Sequence, residues 1–137
     1  MLTARDIMTP HAQCVDVGDT ITQAAAKLRD LGVGSMPICG DDNRLKGMLT
    51  DRDIVIGCVA AGKDPDTMTV GEFGQEKPVT IGADDSIDEA ISTMQEHQVR
   101  RLPVIDGHTL VGMVAQADIA RSISQDKVGD LLKLISV

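Results

Sequence analysis

Three residues near the middle of the chain carry the strongest chemical signal: Gly47, Thr50 and Asp53, within Gly47-Met48-Leu49-Thr50-Asp51-Arg52-Asp53. A hydroxyl and a carboxylate three residues apart at the start of a helix project toward one spot, beside N–H groups the helix has not yet used. The carboxylate suits vicinal hydroxyls and not phosphates, and the threonine hydroxyl donates as well as accepts. A second stretch, Gly112-Met113-Val114-Ala115-Gln116-Ala117-Asp118, repeats the pattern with Ala115 in place of the hydroxyl. Ahead of it, the adjacent cations Arg100 and Arg101 offer either phosphate contacts or surface ion pairs with Asp106 or Glu96, which are worth little. Taken singly, Asp53 and Asp118 read first as helix caps or surface charges.

Catalytic constellations are missing. There is no G-x-S-x-G elbow, P-loop or HExxH, and no Cys/His pair with a placed acid, so the expectation is a protein that is not an enzyme. His11, His97 and His108 show no metal-ligand spacing, and Cys14, Cys39 and Cys58 form no CxxC pair, so no metal is expected. Cys14 and Cys39 fall in strands expected to be neighbours, about 4.8 Å apart. That spacing permits a disulfide and a redox switch, whereas a cytosolic setting favours two buried thiols. Cys58 reads as ordinary core.

The elements that must position these residues come in two copies. With Pro37 placed over Pro103, Asp19-Thr20-Ile21 falls on Asp85-Ser86-Ile87, Ala24 on Ala90, Leu28 on Met94 and Val33 on Val99. After a one-residue deletion in a turn, Gly47, Met48, Asp53 and Ile54 fall on Gly112, Met113, Asp118 and Ile119. Each copy predicts a short strand (Cys14–Val17; Val79–Ile81) and then a helix capped at Asp19-Thr20 or Asp85-Ser86, with one apolar stripe. Gly32 stops the first helix. Prolines open the next strands, Ser35–Cys39 and Arg101–Ile105, and turn residues fold each into a hairpin with Leu45–Leu49 or Leu110–Val114. A final helix starts near Asp51 and near Gln116. The predicted fold is therefore α+β: tandem βαββα repeats, each a three-stranded mixed sheet of about 60 residues that leaves an apolar face bare. Two such sheets are expected to pack with pseudo-two-fold symmetry into one module.

By residue, 1–60 holds the first repeat with its lead-in, 61–77 a linker, 78–124 the second repeat and 125–137 a helical tail. Arg5-Asp6-Ile7-Met8 reads as a short helix ended by Pro10 and is echoed by Val70-Gly71-Glu72-Phe73. A net charge of −8 disfavours nucleic acid and anionic lipid. Phe73 is the sole aromatic residue, so a bound base would lie between aliphatic side chains. No apolar run is long enough for a bilayer and no signal peptide is visible, which makes cytoplasmic the default location.

Arg5-Asp6-Ile7-Met8-Thr9-Pro10, Met36-Pro37-Ile38 and the Gly47–Asp53 stretch, with Arg101–Asp106 and Gly112–Asp118 in the second copy, together resemble a cystathionine-β-synthase (CBS) domain pair, or Bateman module, over residues 3–122. Within that family the chain is most similar to the short, two-repeat actinobacterial proteins associated with hypoxic response. The resemblance implies a regulatory, stress-response role, with clefts that bind AMP, ADP or ATP and no required cofactor. One cleft would use Gly47, Thr50 and Asp53. The other would use Asp118, with phosphate contacts from Arg100 and Arg101 and purine contacts from Gly34, Ser35, Met36, Val15 and Val17. The resemblance also implies a homodimer, and Ile54, Val55, Ile56, Ile119 and Ile123 are apolar residues needing cover. The alternative is a ligand-free, stress-response interaction module tuned through Cys14 and Cys39, with an unknown downstream partner.

Overall fold

Five helical segments in this chain start where an extended residue hands its N–H to a side chain three positions later. Thr3 donates to Asp6 (2.9 Å), Thr20 to Gln23 (2.9 Å), Thr50 to Asp53 (2.9 Å), Thr69 to Glu72 (2.8 Å) and Ala115 to Asp118 (2.8 Å). Each bond satisfies one donor that a helix end otherwise leaves open. Hydrogen bonds from the Thr3 backbone and hydroxyl hold the Asp6 carboxyl below its ordinary pKa.

The structure is a computed structural model describing residues 2–73 and 78–122. The expected tail helix over 125–137, Ile123 and the last part of the linker lie outside the described residues. In chain order the elements are α1 (Ala4–Ile7), β1 (Thr9–Pro10), β2 (Val15–Asp16), α2 (Ile21–Leu31), β3 (Ser35–Cys39) and β4 (Leu45–Thr50). Next come α3 (Asp51–Ile54), which passes into a π turn at Val55–Val59, and a 3-10 turn at Val70–Glu72. The remainder are β5 (Ile81–Gly82), α4 (Ile87–His97), β6 (Arg101–Asp106), β7 (Thr109–Ala115) and α5 (Gln116–Ser122). The chain divides into two compact units, Gln13–Pro78 on its own and the residues up to Ala12 together with those from Val79 onward.

In the Gln13–Pro78 unit the sheet order is β2-β3-β4, with β2 parallel to β3 and β3 antiparallel to β4. Thr20 caps α2, and Gly32 ends it in the left-handed region at φ 66°, a conformation that costs glycine little. Val15, Ile21, Ala24, Leu28, Met36, Ile38, Leu49 and Cys58 form the core. Met68 and Val70 join them, so much of the expected linker belongs to this unit's interior. Its backbone is stitched in by Ile21 N–H to Met68 O (2.9 Å), Val70 N–H to Asp19 O (2.8 Å) and Gly71 N–H to Val17 O (2.9 Å).

The other unit repeats the plan with β5 parallel to β6 and β6 antiparallel to β7. Both hairpins shift register at the same place, between Ile38 and Cys39 and between Val104 and Ile105. Gln98 ends α4 at φ 54°, doing with a side chain what Gly32 does without one. The sheet has four strands where sequence predicts three, in the order β1-β7-β6-β5. The lead-in is expected to open the first repeat, yet it supplies the extra strand here: Thr9 pairs with Met113 and Pro10 with Gly112. Gly112 makes this possible, because a Cβ there would stand 2.6 Å from Met8 Sδ and 2.7 Å from the Thr9 carbonyl oxygen. Ala4 N–H to Asp85 O (2.9 Å) and Arg5 N–H to Ala83 O (2.8 Å) anchor α1 beside it.

Gly112→Ala is therefore expected to dislodge β1 and destabilise the protein by about 1–3 kcal/mol. Gly18→Ala, where a Cβ meets nothing within 4 Å, should change stability little. Denaturant unfolding of both variants, with hydrogen exchange at Met113, checks this.

Candidate functional site

In the Gln13–Pro78 unit, Ser35 pairs with Thr50 and Met36 with Leu49. The start of β3 and the end of β4 thus finish together, where α3 begins. Asp51 N–H donates to the Gly34 carbonyl (2.9 Å), fastening the helix to the strand. Thr50 and Asp53 close on each other: Asp53 N–H donates to Thr50 Oγ1 (3.0 Å) as Thr50 N–H donates to Asp53 Oδ2 (2.9 Å). Both residues are half-buried. Asp53 Oδ1 has no hydrogen-bond partner among the described residues, so one carboxylate oxygen stays open to a hydroxyl.

Gly34 is exposed, and a Cβ on it would lie 3.3 Å from Asp51 Oδ2. Asp51 therefore brings a second carboxylate to this end. It escapes a sequence-based reading because the motif spacing draws attention to Asp53; the signal available is the pair of acids flanking Arg52. Of the residues singled out from sequence, Gly34, Ser35, Thr50 and Asp53 come together here. Val15 and Met36 are core residues, 0% and 2% exposed. Gly47 is buried opposite Ile38, while Val17, exposed, donates its N–H to Cys39 O (3.2 Å). Val15, Val17 and Cys39 thus belong to the other end of β3, roughly 10 Å along the strand from Ser35.

The equivalent end of the second unit has the same backbone and different charges. Arg101 pairs with Ala115, and Gln116 N–H donates to the Arg100 carbonyl (2.9 Å). Arg100 and Arg101 occupy the places of Gly34 and Ser35; both are exposed, and neither has a carboxylate within ion-pairing distance among the described residues. Asp106, one alternative partner, pairs instead with Arg5 at 3.0 Å. Asp118 is buried, 7% exposed, with both oxygens engaged: Oδ2 accepts from Ala115 N–H (2.8 Å) and Oδ1 pairs with Arg121 Nη2. Arg121 also escapes notice from sequence, although its i, i+3 spacing from Asp118 is a readable ion-pair signal.

Cys14 and Cys39 have sulfurs at disulfide distance, 2.09 Å, with Cα atoms 5.7 Å apart. Cys14 is half-buried and Cys39 buried. Lys27 Nζ lies beside them, 3.5 Å from Cys14 O and 3.0 Å from Asp19 Oδ2. Cys58 is fully buried, its Sγ 3.6 Å from Lys63 O. Of the apolar residues in need of cover, Ile119 is buried and Ile54 packs against the core, whereas Val55 and Ile56 are each 54% exposed.

Two stretches, residues 4–58 and 70–125, match the family model for the CBS domain. The chain belongs to the CBS-domain family. Hypoxic response protein 1 of Mycobacterium tuberculosis (strain H37Rv) is 50% identical over 135 residues, covering 98% of this chain and 94% of that protein. The CBS domain-containing protein YhcV of Bacillus subtilis is 37% identical over 137 residues, covering 99% and 96%. Among solved structures, Hypoxic Response Protein I with two coordinated zinc ions superposes with a TM-score of 0.82 at 53% identity, covering 89% of this chain and 99% of that one. CBSX2 in complex with AMP gives 0.78 at 23% identity, covering 93% and 99%, a likeness of fold. The chain is thus a CBS-pair regulatory module, a class of protein that is generally non-catalytic, and no helix among the described residues is long and apolar enough to cross a membrane.

Reduction of the Cys14–Cys39 bond, which spans 25 residues, is expected to lower stability by about 3 kcal/mol through released loop entropy. Melting with and without dithiothreitol checks this, with Cys14→Ala as a control that should no longer respond.

Proposed function

We propose that this CBS pair senses an adenine nucleotide, AMP, ADP or ATP, without transforming it. The observation that carries the reading is the Thr50–Asp53 cap, which holds a carboxylate in place while leaving Oδ1 open beside exposed Gly34. An acid so positioned accepts from the paired hydroxyls of a ribose. At the equivalent end of the other unit, the exposed cations Arg100 and Arg101 suit phosphates of a nucleotide held there, in a chain whose net charge of −8 otherwise repels them. CBSX2, a remote relative by sequence, was solved with AMP. Among the described residues no three His, Cys, Asp or Glu stand close enough together to hold a metal ion. Assembly as a homodimer in the cytoplasm completes the reading, with Val55, Ile56 and Val59 as exposed apolar residues to cover.

The Cys14–Cys39 pair favours a second reading, a stress-response interaction module tuned by redox state without a nucleotide. In a reducing cytosol this bond would be reversible rather than a permanent staple.

Thermal unfolding with AMP, ADP, ATP, NAD and S-adenosylmethionine separates the two. A sensor at a hundredfold excess over Kd gains about 2.7 kcal/mol, a rise on the order of 10 °C for a chain of this length. Asp53→Asn keeps an acceptor for Thr50 N–H, so loss of the increment in that variant reports lost binding rather than a lost cap. No shift with any ligand, together with a redox-dependent change in assembly, supports the second reading.

A further inference from the structure

The two motif acids sit in the same backbone setting with different company. Asp53 keeps one oxygen open, whereas Asp118 gives Oδ2 to Ala115 N–H and Oδ1 to Arg121. The residue that takes the place of Arg121 in the first repeat is Ile56, which has no charge to offer. Arg121 projects from solvent, its side chain 72% exposed, onto a carboxylate that is only 9% exposed. The guanidinium therefore stands where a hydroxyl ligand would have to reach Asp118.

We infer that Arg121 gates the second repeat: it withholds Asp118 from ligand, so that a nucleotide loads at Thr50–Asp53 and the Arg100–Arg101 end stays empty or weakly filled. This rests on the nucleotide reading, and it names which of two similar ends is used and which residue decides. Thr50 against Ala115 works in the same direction, since the second repeat also lacks the hydroxyl. Because the gate is an exposed side chain, its removal leaves no cavity in the core.

Calorimetric titration with AMP tests it in four proteins: the parent, Arg121→Ile, Ile56→Arg and the double variant Asp53→Asn with Arg121→Ile. Arg121→Gln serves if Arg121→Ile folds poorly. The parent should bind one AMP per chain, Arg121→Ile two, and the double variant one. Ile56→Arg, at an exposed position, installs the same gate over Asp53 and should weaken binding about fivefold, the worth of one partly screened ion pair. A general structural role for Arg121 predicts neither the added site nor the reciprocal loss. If the parent binds AMP and both Arg121→Ile and Ile56→Arg match it in stoichiometry and affinity, the gate is overturned and the nucleotide reading stands. If only the two proteins that carry Arg121→Ile bind AMP, the gate stands and loading at Asp53 falls. If none of the four binds AMP, both fall.

Discussion

The structure depends on one small interaction used again and again: a backbone N–H at the end of an extended segment donates to a carboxylate or carboxamide three residues on. It appears at Thr50 and Asp53 and at Ala115 and Asp118, and also in the turns before the long helices, where Asp16 donates to Asp19 (3.0 Å) and Gly82 to Asp85 (2.8 Å). Short strands meeting short helices leave many donors unpaired, and each such bond settles one of them while fixing the direction in which the chain turns. Acidic residues are therefore structural in this protein before they are anything else. Their number, 21 against 13 basic residues, reflects in part how many strand-to-helix corners must be closed.

That economy shapes what the candidate site can be. At Asp53 the corner consumes one oxygen and spares the other; at Asp118 a neighbouring cation takes what the corner spares. Duplication supplied two copies of one backbone device, and single side chains, Gly34 against Arg100, Ser35 against Arg101 and Asp51 against Gln116, then set opposite charge at the two ends. Such divergence is inexpensive because these residues lie where strands finish and helices begin, outside the packed core that both copies must preserve.

The repeat, the capped helices, the hairpins and their proline-led strands were legible because each leaves a local mark: a period, a cap, a turn residue. Thr50 and Asp53 belong to that class by their spacing, although that spacing points both side chains at a ligand and does not foretell that they bond each other. What local pattern does not carry is the pairing of Thr9–Pro10 with Met113 and Gly112, since a strand of two residues has no periodicity and its partner lies at the opposite end of the sequence. The burial of Met68 and Val70 is hidden for a related reason: isolated apolar residues among Asp, Pro and Thr look like a tether until the strand and helix they cover are known. Val15 and Val17 lie away from Ser35 because strand direction places them at the other end of β3, a fact of register.

The position of β1 bears on the order in which the chain acquires its shape. Residues 13–78 form a contiguous unit, whereas the unit that holds β1 is interrupted, its first residues separated from the rest by the whole of the other. On a ribosome, the contiguous stretch is complete while β7 is still unmade, so the segment that holds α1 and β1 emerges before that unit and docks after it. Until then, Ala4 and Ile7, both buried in the finished unit, face water. The closing of so long a loop is a late and comparatively slow event, which leaves the apolar face of α1 open to chaperones and proteases for longer than the core of the contiguous unit.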